Sequence, residues 1–351
     1  MLNNSTRLGS LPTGLLAAGA LLAINLTGCA TADARDTSTT PTAVQLQAVV
    51  DQAHAKFKDL KDGKNADYIP ILATIPSELF GVAIVTNDGK VYTAGDTDYA
   101  FAIESTSKPF NLAMVMQEQG PEAVQEKIGV EPTGLPFNSK IALELLKARS
   151  VNPLVNAGAI AQVSMVQAKD EDERWSKVRG NMSAFAGVKE LPLSDETFKS
   201  EYESSWSNRA IANLLYNYDR LYSDPEEALV VYTKQCSLLV TTKELGVMGA
   251  TLSNGGVNPV TGKRLLNEEY VPELLSVMLT AGFYDESGEW SYTAGLPAKT
   301  GVGGGIVAIV PGEMAIAAFS PRLNEAGNSI RATKAINYIS EQLKLSIFDG
   351  R

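Results

Sequence analysis

Phe101-Ala-Ile-Glu-Ser-Thr-Ser-Lys-Pro-Phe110 is the stretch of sequence on which the predicted fold depends. Two segments before it, residues 81–86 and 90–94, have the composition of strands and flank an Asn-Asp-Gly turn, a pattern that predicts a β-hairpin. The apolar run after it, residues 110–116, predicts a buried helix that ends at Gly120. The stretch is therefore predicted to lie where the chain leaves a sheet and enters a helix.

Ser105 and Lys108 within this stretch have a spacing that suits acyl-transfer chemistry. Residues three apart on a helix share a face, so the Lys108 amine can reach the Ser105 hydroxyl. A desolvated lysine can take the proton of a serine nucleophile, and a helix N-terminus supplies N–H groups for a developing oxyanion. The same spacing also arises when a serine caps a helix and the lysine is solvated. The motif alone leaves both interpretations open.

Composition excludes several classes of function. Hydrophobic residues make up 44% and charged residues 20% of the 351 residues, which is typical of a globular protein. A formal charge of −10 argues against nucleic acid as a partner, because phosphate binding needs a basic surface. With His54 as the single histidine, neither a His-based metal site nor a Ser-His-Asp triad is expected. We therefore predict no metal or cofactor, and a lysine as the base of any hydrolytic chemistry.

The first residues of the chain resemble a bacterial export signal. Arg7 precedes an apolar run, residues 15–24, that is too short to span a bilayer. The run leads to Leu26-Thr-Gly-Cys29, which resembles the lipobox of bacterial lipoproteins. This resemblance implies cleavage before Cys29, a lipid on that cysteine, and a location at the outer membrane facing the periplasm. An ordinary signal peptide that releases a soluble periplasmic protein is the alternative.

These features divide the chain into three segments. Residues 1–28 are predicted to be the signal peptide, residues 29–44 a flexible tether rich in threonine, and residues 45–351 a single catalytic domain. If Cys29 carries a lipid, Cys236 is the remaining cysteine, so no intramolecular disulfide is expected. We predict that Cys236 is buried and inert, since no histidine lies near it in sequence to activate it.

Hydrophobic periodicity predicts an α+β fold. Strand patterns return at residues 305–310 and 314–319, which flank a Pro-Gly turn, and a helix is predicted from residue 329 to residue 343. Strands at both ends of the chain indicate one antiparallel sheet with a helical subdomain beside it. The acidic run at residues 170–174 is typical of a solvated loop. Further helices are predicted over residues 44–60, 141–148, 208–218, 242–252 and 271–280.

A second motif favours the catalytic interpretation of Ser105 and Lys108. Lys299-Thr-Gly301 precedes the predicted strand at residues 305–310. Serine β-lactamases and penicillin-binding proteins pair Ser-x-x-Lys at the start of a helix with Lys-Thr-Gly on a neighbouring strand. The glycine-rich loop after Lys-Thr-Gly allows the Val302 N–H to join that of Ser105 in an oxyanion hole. The middle motif of those enzymes, Ser-Asp-Asn or Tyr-x-Asn, is missing at a matching position.

Several segments between the two motifs resemble those of the serine-dependent glutaminases, which hydrolyse L-glutamine to L-glutamate and ammonia on a β-lactamase-like fold. The resemblance extends from about Tyr68 to the C-terminal helix. The segments that carry it are Val151-Asn-Pro-Leu-Val-Asn-Ala-Gly-Ala-Ile160, Ser200-Glu-Tyr-Glu-Ser204, Asn208-Arg-Ala-Ile211, Tyr232-Thr-Lys-Gln-Cys-Ser237, Leu252-Ser-Asn-Gly-Gly-Val-Asn-Pro259 and Leu279-Thr-Ala-Gly-Phe-Tyr-Asp285.

The resemblance assigns roles to individual residues. It implies Ser105 as the nucleophile, Lys108 as the base, and Tyr284 or Tyr232 as the relay of a proton to the departing ammonia. Glu201 can supply the anion that the substrate ammonium needs. The implied substrate-binding set is Tyr68, Ser105, Asn156, Glu201, Asn208, Tyr232, Tyr284 and the backbone of Val302. The family also implies L-glutamine as the substrate and a homodimer or homotetramer.

Each polar residue of this set also has a purely structural interpretation. Glu201 suits the N-terminal turn of a helix, the asparagines suit turns or caps, and the tyrosines suit a core. The chain departs from the family pattern at Glu104, where many members have Gln, and at Ser207, which replaces the basic residue that usually precedes the binding Asn. The neighbouring loop is predicted to carry Trp206. A penicillin-recognising serine hydrolase and a non-catalytic amino-acid-binding lipoprotein are the alternative functions.

Overall fold

The computed structural model describes residues 41–147 and 149–349. The predicted signal peptide, Cys29 and most of the predicted tether lie outside the described residues. The first helix begins at Ala43, within the last residues of the predicted tether. Thr42 and Gln45 form a capping box there, which satisfies the free N–H groups of the first turn. Within the described part of the chain, no helix is long and apolar enough to cross a membrane.

Helices account for most of the secondary structure. The α-helices are α1 Ala43–Phe57, α2 Pro70–Ala73, α3 Lys108–Gln119, α4 Pro121–Lys127, α5 Ile141–Leu145, α6 Asn156–Met165, α7 Glu171–Ala186, α8 Asp195–Ser204, α9 Trp206–Asn217, α10 Pro225–Cys236, α11 Thr242–Ser253, α12 Val271–Ala281, α13 Ser287–Thr293 and α14 Ile330–Leu343. The strands are β1 Gly81–Thr86, β2 Val91–Gly95, β3 Phe101–Ala102, β4 Leu239–Val240, β5 Ala298–Thr300, β6 Gly305–Val310 and β7 Met314–Phe319.

The main sheet joins the two ends of the domain, as predicted. Its five strands are antiparallel in the order β2-β1-β7-β6-β5. The N-terminal hairpin meets the C-terminal hairpin where β1 pairs with β7, with Ala83 opposite Ala317. The short strands β3 and β4 pair separately, with Phe101 opposite Val240. β3 forms the first two residues of the Phe101–Phe110 stretch, called the Ser105 stretch below.

Helices cover both faces of the sheet. Successive strand residues point to opposite faces, so neighbours along one strand belong to different apolar clusters. Val82 and Ile84 of β1 belong to the apolar cluster with α1 and α14. Val85 of the same strand belongs to the larger cluster that contains α11 and the helical subdomain. Strands that are buried on both faces are continuous apolar runs, which explains the uninterrupted apolar sequence of β1, β6 and β7.

Two predicted elements need correction. The acidic run at residues 170–174 is the start of α7 and not a solvated loop, because the Asp170 carboxylate accepts a 2.9 Å hydrogen bond from Glu173 N and caps the helix. Acidic side chains in the first turn also complement the helix dipole. The helix predicted over residues 141–148 ends at Leu145, since Leu146 takes an extended conformation.

Candidate active site

The Ser105 stretch forms a tight connection between sheet and helix. β3 ends at Ala102, a 3-10 helix spans Glu104–Ser107, and α3 begins at Lys108. Ser105 is not the cap of α3, since Ser107 holds that position and makes no side-chain capping bond. Lys108 is fully buried, with 0% exposure. The interpretation as a helix cap with a solvated lysine is therefore wrong.

Lys108 is held by an amide from another helix. Its Nζ donates a 2.8 Å hydrogen bond to Asn156 Oδ1, and the Tyr232 hydroxyl donates to the same oxygen at 3.1 Å. Burial lowers the pKa of Lys108 from its ordinary 10.5 to about 8, because desolvation disfavours the charged amine. A lysine with this pKa is neutral in roughly one tenth of the molecules at neutral pH, which suits a general base.

Asn156 and Asn208 form a bridge between α6 and α9. Asn156 Nδ2 donates to Asn208 Oδ1 at 3.0 Å. The caps of these helices are Val155 and Ser205, so neither asparagine serves as a cap. The amide chain from Lys108 through Asn156 to Asn208 fixes the orientation of both asparagines.

Tyr284 reaches the nucleophile from the opposite side. Its hydroxyl lies within hydrogen-bond reach of Ser105 and of the Thr300 carbonyl, the latter at 3.4 Å. Burial raises the pKa of Tyr284 above its ordinary value, which keeps the phenol protonated and able to donate. Lys299 Nζ lies 4.2 Å from the centre of the Tyr284 ring.

The Lys-Thr-Gly segment lies beside the nucleophile, as the paired motifs predict. Lys299 donates to the carbonyl oxygens of Gly282 at 3.1 Å and Thr300 at 2.7 Å, so its role is to fix β5. A Cβ atom on Gly301 would lie 3.2 Å from the Ser105 nitrogen and 3.1 Å from the Thr106 nitrogen. With any other residue at position 301, the backbone of the nucleophile or the end of β5 would have to yield by a few tenths of an ångström.

A cavity of about 100 Å³ opens onto Ser105. Most of the predicted binding residues line it: Tyr68, Ser105, Asn156, Glu201, Asn208, Tyr232 and Val302. Lys108 and Tyr284 stand behind this lining, in contact with Asn156 and Ser105. The sequence singled out Glu104 and Ser207, which also line the cavity, as departures from the family pattern. It missed Ile69, Phe137, Asn138, Ser204 and Ser205, whose residue types carry no catalytic signal.

Two carboxyl groups enter this cavity. Glu201 is 7% exposed and lies near the C-terminal end of α8, so the interpretation as an N-terminal helix acid is wrong. Burial raises the pKa of Glu201 to about 8, and the neighbouring Lys108 opposes this rise. Glu104 is 2% exposed, and burial followed by the charge of Glu201 raises its pKa as well.

Cys236 lies beside the two carboxyl groups. It is buried, and burial raises the pKa of its thiol. Three potential ligand atoms lie within 4.8 Å of one another: the Sγ of Cys236 and one carboxylate oxygen each of Glu104 and Glu201. Among the described residues this is the group that comes nearest to a metal site, but the adjacent Lys108 amine makes its surroundings unfavourable for a cation.

Comparison with known proteins identifies relatives along nearly the whole domain. The glutaminase family model matches residues 63–348. A glutaminase of Colwellia psychrerythraea is 53% identical over 303 residues, which cover 86% of this chain and 97% of the relative. Glutaminase 1 of Escherichia coli is 53% identical over 306 residues, which cover 87% of this chain and 98% of the relative.

Solved structures of glutaminases have the same fold as this chain. The probable glutaminase ybaS superposes with a TM-score of 0.87 at 52% identity, covering 88% of this chain and 100% of that one. A probable glutaminase of Bacillus subtilis superposes with a TM-score of 0.79 at 30% identity, covering 87% of this chain and 97% of that one.

The antiparallel sheet, the helical subdomain and the Lys-Thr-Gly strand beside Ser105 define the β-lactamase-like fold class. The chain belongs to the glutaminase family. It hydrolyses L-glutamine to L-glutamate, as its relatives' names indicate. These relatives confirm the family resemblance seen in the sequence. The family assignment favours this activity over the penicillin-recognising hydrolase and the non-catalytic binding protein that the sequence left open.

Proposed function

We propose that L-glutamine is hydrolysed through an acyl-enzyme on Ser105, with Lys108 as the general base. The observation that carries this proposal is the burial of Lys108, which lowers its pKa to about 8 and fixes its amine on Asn156 Oδ1. Neutral Lys108 takes the hydroxyl proton as Ser105 Oγ attacks the γ-amide carbon. The N–H groups of Ser105 and Val302 stabilise the oxyanion.

The second half of the reaction releases the two products. The C–N bond breaks when a proton reaches the departing nitrogen, and ammonia leaves. Tyr284 and Tyr232 are the candidate relays, because burial keeps both phenols protonated and each contacts a member of the catalytic pair or its Asn156 partner. Water then attacks the glutamyl ester with Lys108 again acting as base, which frees L-glutamate and restores Ser105.

The ends of the substrate are assigned by charge. Glu201 receives the α-ammonium group, because it is the buried carboxyl group of α8 in the cavity. Asn208, Asn156 and the hydroxyl of Tyr68 at the cavity mouth are the donors for the α-carboxylate. Together these groups select a free amino acid over a peptide.

Replacement of the nucleophile tests this mechanism. Ser105→Ala is expected to abolish ammonia release from L-glutamine while leaving the circular dichroism spectrum and thermal unfolding curve unchanged. Ser204→Ala removes another hydroxyl that lines the cavity and is expected to retain most of the activity. Activity above a few per cent in the Ser105→Ala enzyme would exclude the acyl-enzyme mechanism.

We also propose that the chain is exported and anchored at the outer membrane by a lipid on Cys29, as Leu26-Thr-Gly-Cys29 indicates. Fractionation of cells grown with a labelled fatty acid tests this. The wild-type chain is expected to carry the label and sediment with membranes, and Cys29→Ser to do neither. An unlabelled wild-type chain in the soluble periplasmic fraction would support the ordinary signal peptide instead.

A homodimer or homotetramer is proposed for the folded domain. Large apolar side chains are exposed on it, including Trp206 at 75% and Leu145 at 70%, and such side chains are frequent at subunit contacts. Light scattering on the protein without its first 40 residues is expected to give the mass of two or four chains. A monomer at micromolar concentration would contradict the proposal.

A further inference from the structure

Glu104 and Glu201 form a close pair of carboxyl groups in the substrate cavity. A carboxylate oxygen of each lies within 4.8 Å of the other, although the residues come from the 3-10 helix before α3 and from α8. Glu104 Oε1 and Glu201 Oε2 are buried and have no hydrogen-bond partner among the described residues. Unpartnered buried carboxylate oxygens are costly, so the pair is expected to hold a proton or a ligand cation.

The position of Glu104 is built into the backbone. Its φ angle is +49°, in the left-handed region that non-glycine residues avoid. The conformation is held by Ser107 Oγ, which donates to Glu104 O at 2.6 Å and accepts from Gln235 Nε2 at 2.9 Å. Strain of this kind persists where the surrounding contacts determine it, and it is concentrated at functional sites.

The charges around the pair balance at most one of its two carboxylates. Lys108 is the cation that faces both carboxyl groups, and it carries a single charge. Lys299 is turned to the backbone of β5. The other titratable groups around the cavity are the thiol of Cys236 and the phenols of Tyr68, Tyr232 and Tyr284, whose pKa values are all raised by burial, so they carry no charge. Two carboxylates in such surroundings cannot both ionise.

We propose that Glu104 and Glu201 act as one carboxyl pair, which keeps a shared proton in the empty cavity and releases it to solvent when the substrate α-ammonium enters. The inference rests on the proposed placement of that ammonium at Glu201. The charges balance, because the pair changes from one negative charge to two while the ligand brings one positive charge. Glu104 is then a binding residue for the ammonium group as well as the neighbour of the nucleophile.

Substrate selection follows from this exchange. A ligand with an α-ammonium group replaces the proton by a cation that both carboxylates contact. A ligand without the amino group leaves the proton in place and gains neither contact. The enzyme therefore couples binding to proton release only for substrates that carry a free amino group.

Calorimetric titration measures this release directly. The ligand is the L-glutamine analogue in which a methyl ketone replaces the amide, because it has no ammonia to lose. Titrations into the wild-type enzyme at about pH 6.5, in buffers of different ionisation heat, give the number of protons released per ligand bound. We expect a value near one for the wild-type enzyme and for Glu203→Gln, an exposed charge on the same helix as Glu201. We expect a value near zero for Glu104→Gln.

Two further results would decide against the pair. Proton release that is unchanged in Glu104→Gln would overturn it, and would indicate Glu201 alone, whose burial raises its pKa, or Lys108 as the source. Equal proton release on binding of glutaramate, which lacks the amino group, would overturn it as well. If instead Glu201→Gln binds the methyl ketone as tightly as the wild-type enzyme does, the ammonium site of the proposed function is wrong. Residual activity in Ser105→Ala would contradict the proposed acyl-enzyme mechanism and would leave the carboxyl pair untouched.

Discussion

Lys108 is the residue whose protonation state controls the proposed chemistry. Its amine must be neutral to accept the Ser105 proton, and its pKa is lowered to about 8 by burial. The neutral fraction therefore falls as the pH drops below 8. We expect kcat/KM to decrease at least about tenfold per pH unit below about pH 7.5, in assays of ammonia release across the range, because loss of the shared carboxyl proton on binding adds to the slope that Lys108 sets.

Replacement of Lys108 separates its charge from its basicity. Lys108→Arg keeps a cation that does not deprotonate in this range, and it is expected to lose at least about a thousandfold in kcat. Lys243→Arg changes a surface lysine paired with Asp98 and is expected to leave the pH profile unaltered. A profile that is flat between about pH 6 and pH 9, or an active Lys108→Arg enzyme, would remove Lys108 from the role of base.

The end of β5 shows how an element fixes the site. Gly301 approaches Ser105 N and Thr106 N so closely that an added methyl group must move the nucleophile or the strand. Gly301→Ala is therefore expected to lower kcat about a hundredfold, because small displacements of reacting groups have effects of this size. Steady-state kinetics measure the loss. Gly288→Ala, where an added Cβ meets nothing within 4 Å, is expected to keep wild-type activity.

Helix α11 lies against the sheet at glycine positions. A Cβ on Gly249 would lie 2.5 Å from Val307 Cγ2 and 2.8 Å from Ala315 Cβ. Gly249→Ala is expected to reduce the free energy of unfolding by about 1–3 kcal/mol, because overpacking forces the helix away from β6 and β7. Denaturant unfolding gives this value.

A glycine in an open helix provides the contrast. An added Cβ on Gly180, which is exposed within α7, meets nothing within 4 Å. Gly180→Ala is expected to raise the free energy of unfolding by about 1 kcal/mol, because alanine favours the helix. If Gly180→Ala destabilised the protein as Gly249→Ala is expected to, the space around the added Cβ would not explain the difference between the two positions.

Arg331 ties the two ends of the molecule together. Its fully buried guanidinium donates to Ser320 Oγ at 2.8 Å, to Lys58 O at 3.1 Å and to backbone carbonyls of residues 77–79. It therefore links α14 at the C-terminus to the end of α1 and to the segment before β1. Removal of this donor leaves several buried acceptors without partners.

Arg331→Met is accordingly expected to lower the free energy of unfolding by about 3 kcal/mol, measured by denaturant unfolding. Arg322→Met removes a neighbouring guanidinium that pairs with the exposed Glu78 at 2.8 Å and donates to the exposed carbonyls of Lys61 and Gly63. We expect a loss of about 1 kcal/mol or less there. Equal losses would mean that burial of the Arg331 contacts adds nothing to stability.

Local sequence patterns were sufficient to locate the main elements and the kinds of catalytic group. The apolar runs of β1, β6 and β7 and the turns beside them located the two hairpins, because strands buried on both faces are apolar at successive positions. The charged sequence at residues 170–174 carries no apolar pattern, so it predicted a loop. In the structure Asp170 caps the start of α7. Ser105 and Lys108 were identifiable because their spacing along one helix face is a local property.

The way distant residues act on one another depends on the folded chain and not on local sequence patterns. No local pattern relates Glu104 to Glu201, because their proximity depends on α10, which packs against both α8 and the 3-10 helix that carries the nucleophile. The lowered pKa of Lys108 likewise results from burial by α6 and α10, which the sequence order does not reveal. Burial and proximity between distant segments set the electrostatics of this site, and both are properties of the folded chain.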